Sequence, residues 1–175
     1  MSDPVLAVEQ LGFSYGAKQA LSEVTFSLSA GSYYALLGPN GAGKSTLFSI
    51  LCQLLQPQSG SVTVNGISAA KKPRQVLKQV GMVFQQPTLD LDLSVEQNLA
   101  YHASLHGLSN AYTKQRINEE LQRFALSERR KDKVRSLNGG HRRRVEIARA
   151  LLHQPAILLL DEATVGLDQS TRDTI

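Results

Sequence analysis

The sequence predicts an α/β fold, and three observations support that prediction. Short β-like runs and helical segments alternate along the chain of 175 residues, with glycine and proline between them. A glycine-rich loop at residues 38–45 lies between a predicted strand and a predicted helix. The run Ile157–Leu160 is apolar without alternation, which is typical of a parallel strand that is buried on both faces.

The first half of the chain predicts strands joined by turns, with one helix. Gly16 and Gly31 separate the first three β-like runs, and Asn65-Gly66 is typical of a tight turn after a strand. In order, we expect strands at Val5–Phe13, Leu21–Leu28 and Tyr33–Leu37, a helix over residues 43–53, and strands at Ser61–Val64 and Val80–Phe84.

The second half predicts a helical insert and then a further helix. Apolar residues recur at helical spacing in Ser94–His106 and again in Thr113–Phe124. We therefore expect a helical subdomain from about 88 to 137. Another helix is expected over residues 139–153, and the last residues, Asp168–Ile175, resemble the start of one more.

Length and composition indicate one globular domain. Hydrophobic residues make up 42% of the chain, which excludes a disordered protein. The longest apolar run, Ala156–Leu160, is far shorter than the roughly 20 residues of a membrane span, and no secretory signal is visible. The single cysteine, Cys52, fits a core position. The net charge of +4 does not by itself indicate a nucleic-acid partner.

Residues 38–45 match the phosphate-binding pattern G-x-x-x-x-G-K-[ST]. Glycines permit positive φ and a close approach of the backbone to phosphate, and N–H groups at a helix N-terminus bind anions. We expect Lys44 to reach the β- and γ-phosphates and the Ser45 hydroxyl to coordinate Mg²⁺. The predicted nucleotide-binding residues here are Gly38, Pro39, Asn40, Gly41, Ala42, Gly43, Lys44, Ser45 and Thr46.

Two acidic residues directly follow the apolar strand Ile157–Leu160. Ligands of parallel sheets bind beyond the carboxyl ends of the strands, so Asp161 is expected to hold Mg²⁺. Glu162 lies one residue further, where a carboxylate can orient or deprotonate an attacking water. With the phosphate loop, the two acids predict a nucleotide triphosphatase.

In these motifs the sequence resembles the ATP-binding subunits of ABC transporters, over nearly the whole chain. Tyr15 lies where that family has the aromatic residue that stacks on adenine. Gln85 matches the family's glutamine loop, whose glutamine contacts Mg²⁺ and water and relays motion to the membrane subunit. The resemblance implies a P-loop NTPase three-layer core with an antiparallel β-subdomain and a helical subdomain, of the ABC ATPase type.

The family signature, usually LSGGQ, corresponds to LNGGH at residues 137–141. Asparagine in place of serine is an equally good helix N-cap and can donate a hydrogen bond to a phosphate oxygen. Histidine in place of glutamine can keep the hydrogen-bonding role. The segment VGLD at residues 165–168 matches a loop whose aspartate lies across the family's dimer interface. The resemblance thus implies nucleotide contacts from Asn138, Gly139, Gly140, His141 and Asp168.

The resemblance also implies cofactors and partners. ATP and Mg²⁺ bind between two nucleotide-binding subunits, as a homodimer, and the pair docks on transmembrane permease subunits at the inner face of the cell membrane. No nucleic acid is expected. The segment Gln85–Tyr101 is similar to exporter-type subunits of the drug-, haem- and sodium-extrusion kind. The implied catalytic residues are Lys44, Gln85 and Glu162, and the implied metal ligands are Ser45, Gln85 and Asp161.

The sequence stops earlier than the resemblance implies. The family has a histidine that contacts the γ-phosphate well beyond the metal-binding aspartate, whereas this sequence stops at Ile175. We therefore expect either a fragment of a longer protein or a truncated one. Two other functions stay open: a soluble ABC ATPase of translation or DNA metabolism, and a non-catalytic ATP-binding remnant.

The spacing of the basic run His141–Arg144 favours ion pairing over nucleic-acid or anion binding. Glu146 lies four residues after Arg142 and three after Arg143, which is the spacing of pairs on one helix face. We expect these pairs to lie on a solvated face.

Overall fold

The structure, a computed structural model, describes residues 3–161. These residues belong to two compact units, one ending at Val80 and the other beginning at Gly81. Each unit has its own sheet and its own helices. None of the described helices combines the length and the apolar character that a membrane span requires. The helix expected at Asp168–Ile175 lies outside the described residues.

The first unit is built on a four-stranded antiparallel sheet. Its strands are β1 (Leu6–Tyr15), β2 (Lys18–Leu28), β3 (Ser59–Val64) and β4 (Ile67–Ser68). Their order across the sheet is β2-β1-β3-β4. Buried residues alternate along the first part of β1 and the end of β3, which is the pattern of a sheet with one face on the core.

Two turns of this sheet agree with the sequence. Gly16, with φ of +57°, lies between β1 and β2. Asn65 and Gly66, with φ of +46° and +72°, join β3 to β4. Positive φ at both central residues is what a type I′ hairpin requires, so the tight turn predicted there is confirmed.

Two helices complete the first unit, α1 (Lys44–Leu51) and α2 (Pro73–Leu77). The helix expected over residues 43–53 is therefore confirmed as α1, with slightly shorter bounds. Cys52 is its C-cap and is buried, in agreement with the expected core position.

The strand expected at Tyr33–Leu37 is not formed. These residues have no strand conformation and lie outside the four-stranded sheet. Tyr33 is 81% exposed and Leu37 is 87% exposed. Strand propensity is a local property, whereas a strand is defined by pairing with a neighbour, and no described strand pairs with this segment.

The second unit combines a two-stranded sheet with three long helices. The strands are β5 (Val80–Val83) and β6 (Ile157–Leu160), and the helices are α3 (Val95–Leu105), α4 (Asn110–Arg123) and α5 (Gly139–Leu151). Apolar residues of all three helices share one core. Its largest fully buried members include Leu99, Ile117, Leu121, Leu126, Ile147 and Leu152.

The three helices confirm the helical segments predicted from spacing. A capping box starts α3, since Ser94 and Gln97 each bond to the other's backbone N–H. The Ser109 hydroxyl accepts from the Tyr112 N–H, so α4 begins before the predicted Thr113. The strand β6 is half-buried along its length, not buried on both faces as predicted. Within the described sheet it pairs with β5 alone.

Candidate functional site

The phosphate-binding motif forms an exposed loop that leads into α1. Gly41 and Gly43 have φ of +85° and +86°, in the left-handed region that residues with side chains disfavour. Gly43 is also the N-cap of α1. A Cβ at Gly43 would lie 2.4 Å from the Ala20 carbonyl oxygen, so a larger residue does not fit. The backbone conformation thus explains why the motif needs glycine here.

Lys44 folds back over the loop that precedes it. Its Nζ donates to the Gly38 carbonyl at 2.7 Å and to the Pro39 carbonyl at 2.8 Å. The Ala42 N–H closes the loop by donating to the Pro39 carbonyl at 3.2 Å. The ammonium charge is therefore held beside the loop backbone. Ser45, the next residue, is exposed.

The N-terminus of α1 is open to an anion. No side chain among residues 3–161 caps it, and its first turn contains no acidic residue. The first N–H groups of a helix have no partner within the helix, and the helix dipole adds an attraction for negative charge. These groups, with Lys44 beside them, fit a phosphate group.

In the second unit, Gln85 and Asp161 lie at one end of the two-stranded sheet. The Asp161 N–H donates to the Val83 carbonyl at 2.9 Å, so the carboxyl ends of β5 and β6 are side by side. Gln85 follows two residues after Val83 and is exposed, and Asp161 is half-buried. Both side chains offer oxygen atoms, the ligands that Mg²⁺ prefers.

The signature segment forms the beginning of α5. Asn138 is the N-cap, and its side-chain oxygen accepts a hydrogen bond from the His141 N–H at 2.8 Å. The prediction that asparagine caps this helix is therefore confirmed. Gly139 and Gly140 are exposed, and a Cβ on either would meet no atom closer than 3.7 Å. Packing among the described residues does not require glycine there, and the turn's backbone is accessible.

Glu146 of α5 is buried and the arginines of this helix are half-buried, so the expectation of a solvated face is wrong. Arg143 and Glu146 pair at 2.7 Å with side chains 12% and 4% exposed. Spacing identifies the residues that share one helix face, but it does not tell which faces are packed against the rest of the protein. Consecutive residues of α5 are buried, so more than one of its faces is packed. Arg142 instead donates to the Val134 and Arg135 carbonyls, at 3.1 and 2.7 Å.

Three side chains of α5 hold the segment that contains Gln85. Arg143 donates to the carbonyl of the residue before Gln85 at 2.8 Å. Glu146 accepts from the Thr88 N–H at 3.0 Å, and Arg149 donates to the Thr88 carbonyl at 2.9 Å. Backbone on both sides of Gln85 is therefore bonded to the helix that begins at the signature. Sequence reasoning missed these contacts, since they join residues about sixty positions apart.

Three predicted site residues remain: one lies in the first unit, and two lie outside the described residues. Tyr15, the last residue of β1, is 54% exposed. Its ring forms a T-shaped pair with the Phe13 ring, with centroids 4.9 Å apart. Glu162 and Asp168 lie outside the described residues.

The fold and the loop define the class: an α/β protein with a phosphate-binding loop. The family model described as "ABC transporter" matches residues 21–165. The chain belongs to this family.

Similar proteins support the same family membership. The chain is 38% identical over 171 residues to the linearmycin resistance ATP-binding protein LnrL of Bacillus subtilis, covering 98% of this chain and 55% of that protein. It is 37% identical to the daunorubicin resistance ATP-binding protein DrrA3 of Streptomyces coeruleorubidus, covering 98% and 54%. It is 37% identical to the Nod factor export ATP-binding protein I of Cupriavidus pinatubonensis, covering 98% and 53%. The chain therefore spans about half the length of the curated relatives it matches.

Solved structures have the same fold. An ATP-binding subunit of an ABC transporter superposes with a TM-score of 0.87 at 32% identity, covering 97% of this chain and 71% of that one. The cbiO1 protein of Clostridium perfringens, described as part of the ABC transporter complex cbiONQ, superposes with a TM-score of 0.86 at 31% identity. The match covers 98% of this chain and 71% of that one. The predicted ABC ATPase fold is confirmed by these likenesses.

Proposed function

We propose that this chain binds ATP with Mg²⁺ and supplies the ATP-hydrolysing part of an exporter-type ABC transporter. The loop before α1 carries the proposal, since positive-φ glycines, an uncapped helix N-terminus and the Lys44 ammonium occur there together. Family membership supports the same function. The printed names of relatives, which are ATP-binding proteins of resistance and export, support the exporter type.

In this proposal the first unit binds the nucleotide. Tyr15, whose side chain is exposed, stacks on the adenine. Lys44 exchanges its contacts with the loop carbonyls for the β- and γ-phosphates, which are better partners for an ammonium because they carry full charge. The triphosphate is bound by Gly38, Pro39, Asn40, Gly41, Ala42, Gly43, Lys44, Ser45 and Thr46.

Hydrolysis requires the metal and a positioned water. When bound, Mg²⁺ neutralises charge on the β- and γ-phosphates. Ser45, Gln85 and Asp161 would hold it through oxygen atoms. Glu162 orients the attacking water and accepts its proton. Gln85 lies in a segment that α5 holds from both sides, which suits a residue that must keep a defined position.

A second nucleotide-binding subunit completes each site. Its signature residues, the counterparts of Asn138, Gly139, Gly140 and His141, contact the γ-phosphate held by the first subunit. The accessible N-terminal turn of α5 supports this role, because helix N-termini bind anions and both glycines are exposed. Asp168 lies at the same dimer interface in this proposal. We infer a homodimer.

The membrane partners are transmembrane permease subunits, contacted at the inner face of the cell membrane. The segment after Gln85 is the proposed contact, and it includes the exposed Leu91 and Tyr101, 42% and 63% accessible. We place residues 1–175 in one nucleotide-binding domain, with a helical subdomain at about 88–137 that contains α3 and α4.

ATP turnover and ATP binding, measured on the same variants with the partner subunits present, test this function. Glu162→Gln is expected to bind ATP like the wild type and to lose nearly all turnover, because the amide cannot accept the proton from water. Glu128→Gln changes an exposed carboxylate and serves as the matched control. Wild-type turnover in Glu162→Gln would remove that residue from its role. A wild-type chain that binds ATP but does not hydrolyse it would contradict the hydrolytic function.

A further inference from the structure

Three of the four histidines of the chain form a cluster in the second unit. His102 lies in α3, His106 follows the last residue of α3, and His153 lies two residues beyond the end of α5. Each is half-buried, and one ring nitrogen from each lies within 4.8 Å of the other two. The His106 and His153 rings stack with centroids 3.8 Å apart. No role in nucleotide binding has been assigned to these residues.

The backbone that carries the cluster is firmly held. His106, the C-cap of α3, lies four positions after His102, which puts the two residues on one face of the helix. The end of α5 is capped by the buried Arg116 guanidinium, which donates to the Leu151 and Leu152 carbonyls at 3.2 and 3.1 Å. The positions of the rings are therefore set by packed helices.

The residue after His153 is fixed as well. The Gln154 side chain accepts a hydrogen bond from the Tyr112 hydroxyl at 2.7 Å, and its N–H donates to the Leu151 carbonyl at 2.9 Å. The turn that carries His153 is thus bonded to α4 and to α5. A binding site gains affinity when its ligands are held in place before binding.

The side chain of His102 has unmet bonding capacity. Its Nε2 is buried and has no hydrogen-bond partner within the described part of the chain. His102 also lines a cavity of about 300 Å³ together with Asp90 and Arg149. Burial, with a smaller contribution from His106 and Arg149, lowers the pKa of His102 to about 3. The imidazole is therefore in its neutral, metal-binding form at neutral pH.

We propose that His102, His106 and His153 form a site for a divalent transition-metal ion, separate from the ATP and Mg²⁺ site. The geometry is close to what coordination needs. An ion at the centre of the three nitrogens lies at most about 2.8 Å from each, against about 2.0–2.1 Å for a zinc–imidazole bond. The nitrogens need to move by less than an ångström, but the His106 and His153 rings, stacked at an interplanar angle of 17°, must also rotate about their side-chain bonds so that their in-plane lone pairs converge on the ion.

The ligand set selects the class of metal. Three imidazoles without thiolate favour Zn²⁺, Ni²⁺ or Cu²⁺ over Mg²⁺ and Ca²⁺, which prefer oxygen. Three protein ligands leave a fourth position of a tetrahedral ion to water. The Arg149 guanidinium opposes a cation here, but its bonds to Thr88 direct it toward that residue. A bound ion would tie the end of α3 to the end of α5.

Calorimetric titration of Zn²⁺ into the nucleotide-free chain tests the proposal. The chain carries no histidine tag, and excess Mg²⁺ is present to occupy oxygen-ligand sites. We expect one equivalent of Zn²⁺ to bind. His102→Ala, His106→Ala and His153→Ala should each weaken Zn²⁺ binding by at least about tenfold. Mutation of a residue that only hydrogen-bonds to a metal ligand already lowers metal affinity by that factor. His141→Gln, the matched control outside the cluster, should bind Zn²⁺ like the wild type.

Absence of Zn²⁺ binding under these conditions would overturn the site, as would equal weakening by His141→Gln. NMR of the imidazole nitrogens in the wild-type chain gives a second test, independent of how the variants fold. Zn²⁺ should shift three of the four histidine signals and leave His141 in place. A shift confined to His141, or spread equally over all four, would contradict the proposal.

Discussion

The Glu146 carboxylate accepts a hydrogen bond from the Thr88 backbone N–H at 3.0 Å, across 58 positions of sequence. The same carboxylate pairs with Arg143, which donates in turn to the Phe84 carbonyl. One buried ion pair therefore fixes two points of the backbone around Gln85. The proposed nucleotide contacts at the start of α5 and the proposed metal ligand Gln85 are parts of one bonded structure within the second unit.

Removing the Glu146 carboxylate should be strongly destabilising. In Glu146→Ala the Arg143 guanidinium loses its ion pair with the Glu146 carboxylate, and the Thr88 N–H loses its acceptor. Breaking a buried pair from one side costs about 3–5 kcal/mol. The free energy of unfolding, from urea denaturation, measures the loss. Glu128→Ala, at an exposed carboxylate, should change it by less than about 0.5 kcal/mol, and equal effects at the two positions would contradict the bonded structure described here.

The cap of α5 should be replaceable by serine but not by alanine. The Asn138 side chain satisfies the His141 N–H, so Asn138→Ala leaves this N–H without its cap and should lower the unfolding free energy by about 1 kcal/mol. Asn138→Ser restores a cap and should stay within a few tenths of a kcal/mol of the wild type. Thermal unfolding of the three proteins compares them. A serine variant as unstable as the alanine variant would contradict the capping role.

The ion pair between Glu96 and Arg130 should make stability depend on pH. The Arg130 hydrogen bond holds the pKa of Glu96 below its ordinary value of 4.5. A carboxyl group with a lowered folded pKa stabilises the protein above that ordinary value and loses the contribution as the pH falls through the folded pKa. Arg130→Gln should therefore cost about 0.5–1 kcal/mol at pH 7, since the pair is partly exposed, and less at pH 3.5.

The carboxyl carbon of Glu96, followed by NMR, reports this pair directly. Its pKa should rise toward the ordinary value in Arg130→Gln. Arg129→Gln breaks a more exposed pair with Asp132 and should leave the Glu96 pKa unchanged. A Glu96 pKa that does not move in Arg130→Gln would show that another group lowers it.

Local features of the fold could be predicted from the sequence. The Asn65-Gly66 turn and the Asn138 cap depend on a few adjacent residues, so their residue types suffice to identify them. The phosphate loop is contiguous, and its glycine spacing follows from the positive φ at Gly41 and Gly43. The position of Asp161 beyond a strand end follows from the apolar run before it, whereas Gln85 is identified only by the family resemblance.

Features that depend on distant partners could not be predicted. Tyr33–Leu37 has strand propensity, but no described strand pairs with it. The spacing of Arg143 and Glu146 predicts an ion pair, yet it does not tell that the pair is buried against the segment after β5. The His153 ring packs against His102 of α3 and against His106, the C-cap of α3. Of this cluster, the sequence shows only the helical spacing of His102 and His106.

Equilibrium binding of ATP, in the presence of Mg²⁺, tests the central claim most directly. The wild type is compared with Lys44→Ala and with Lys71→Ala, which removes an exposed lysine of the same unit. Charge-assisted hydrogen bonds are worth about 1.5–3 kcal/mol, so Lys44→Ala should bind ATP at least about tenfold more weakly, while Lys71→Ala binds like the wild type. Equal affinity of Lys44→Ala and the wild type would contradict the claim that ATP binds at this loop.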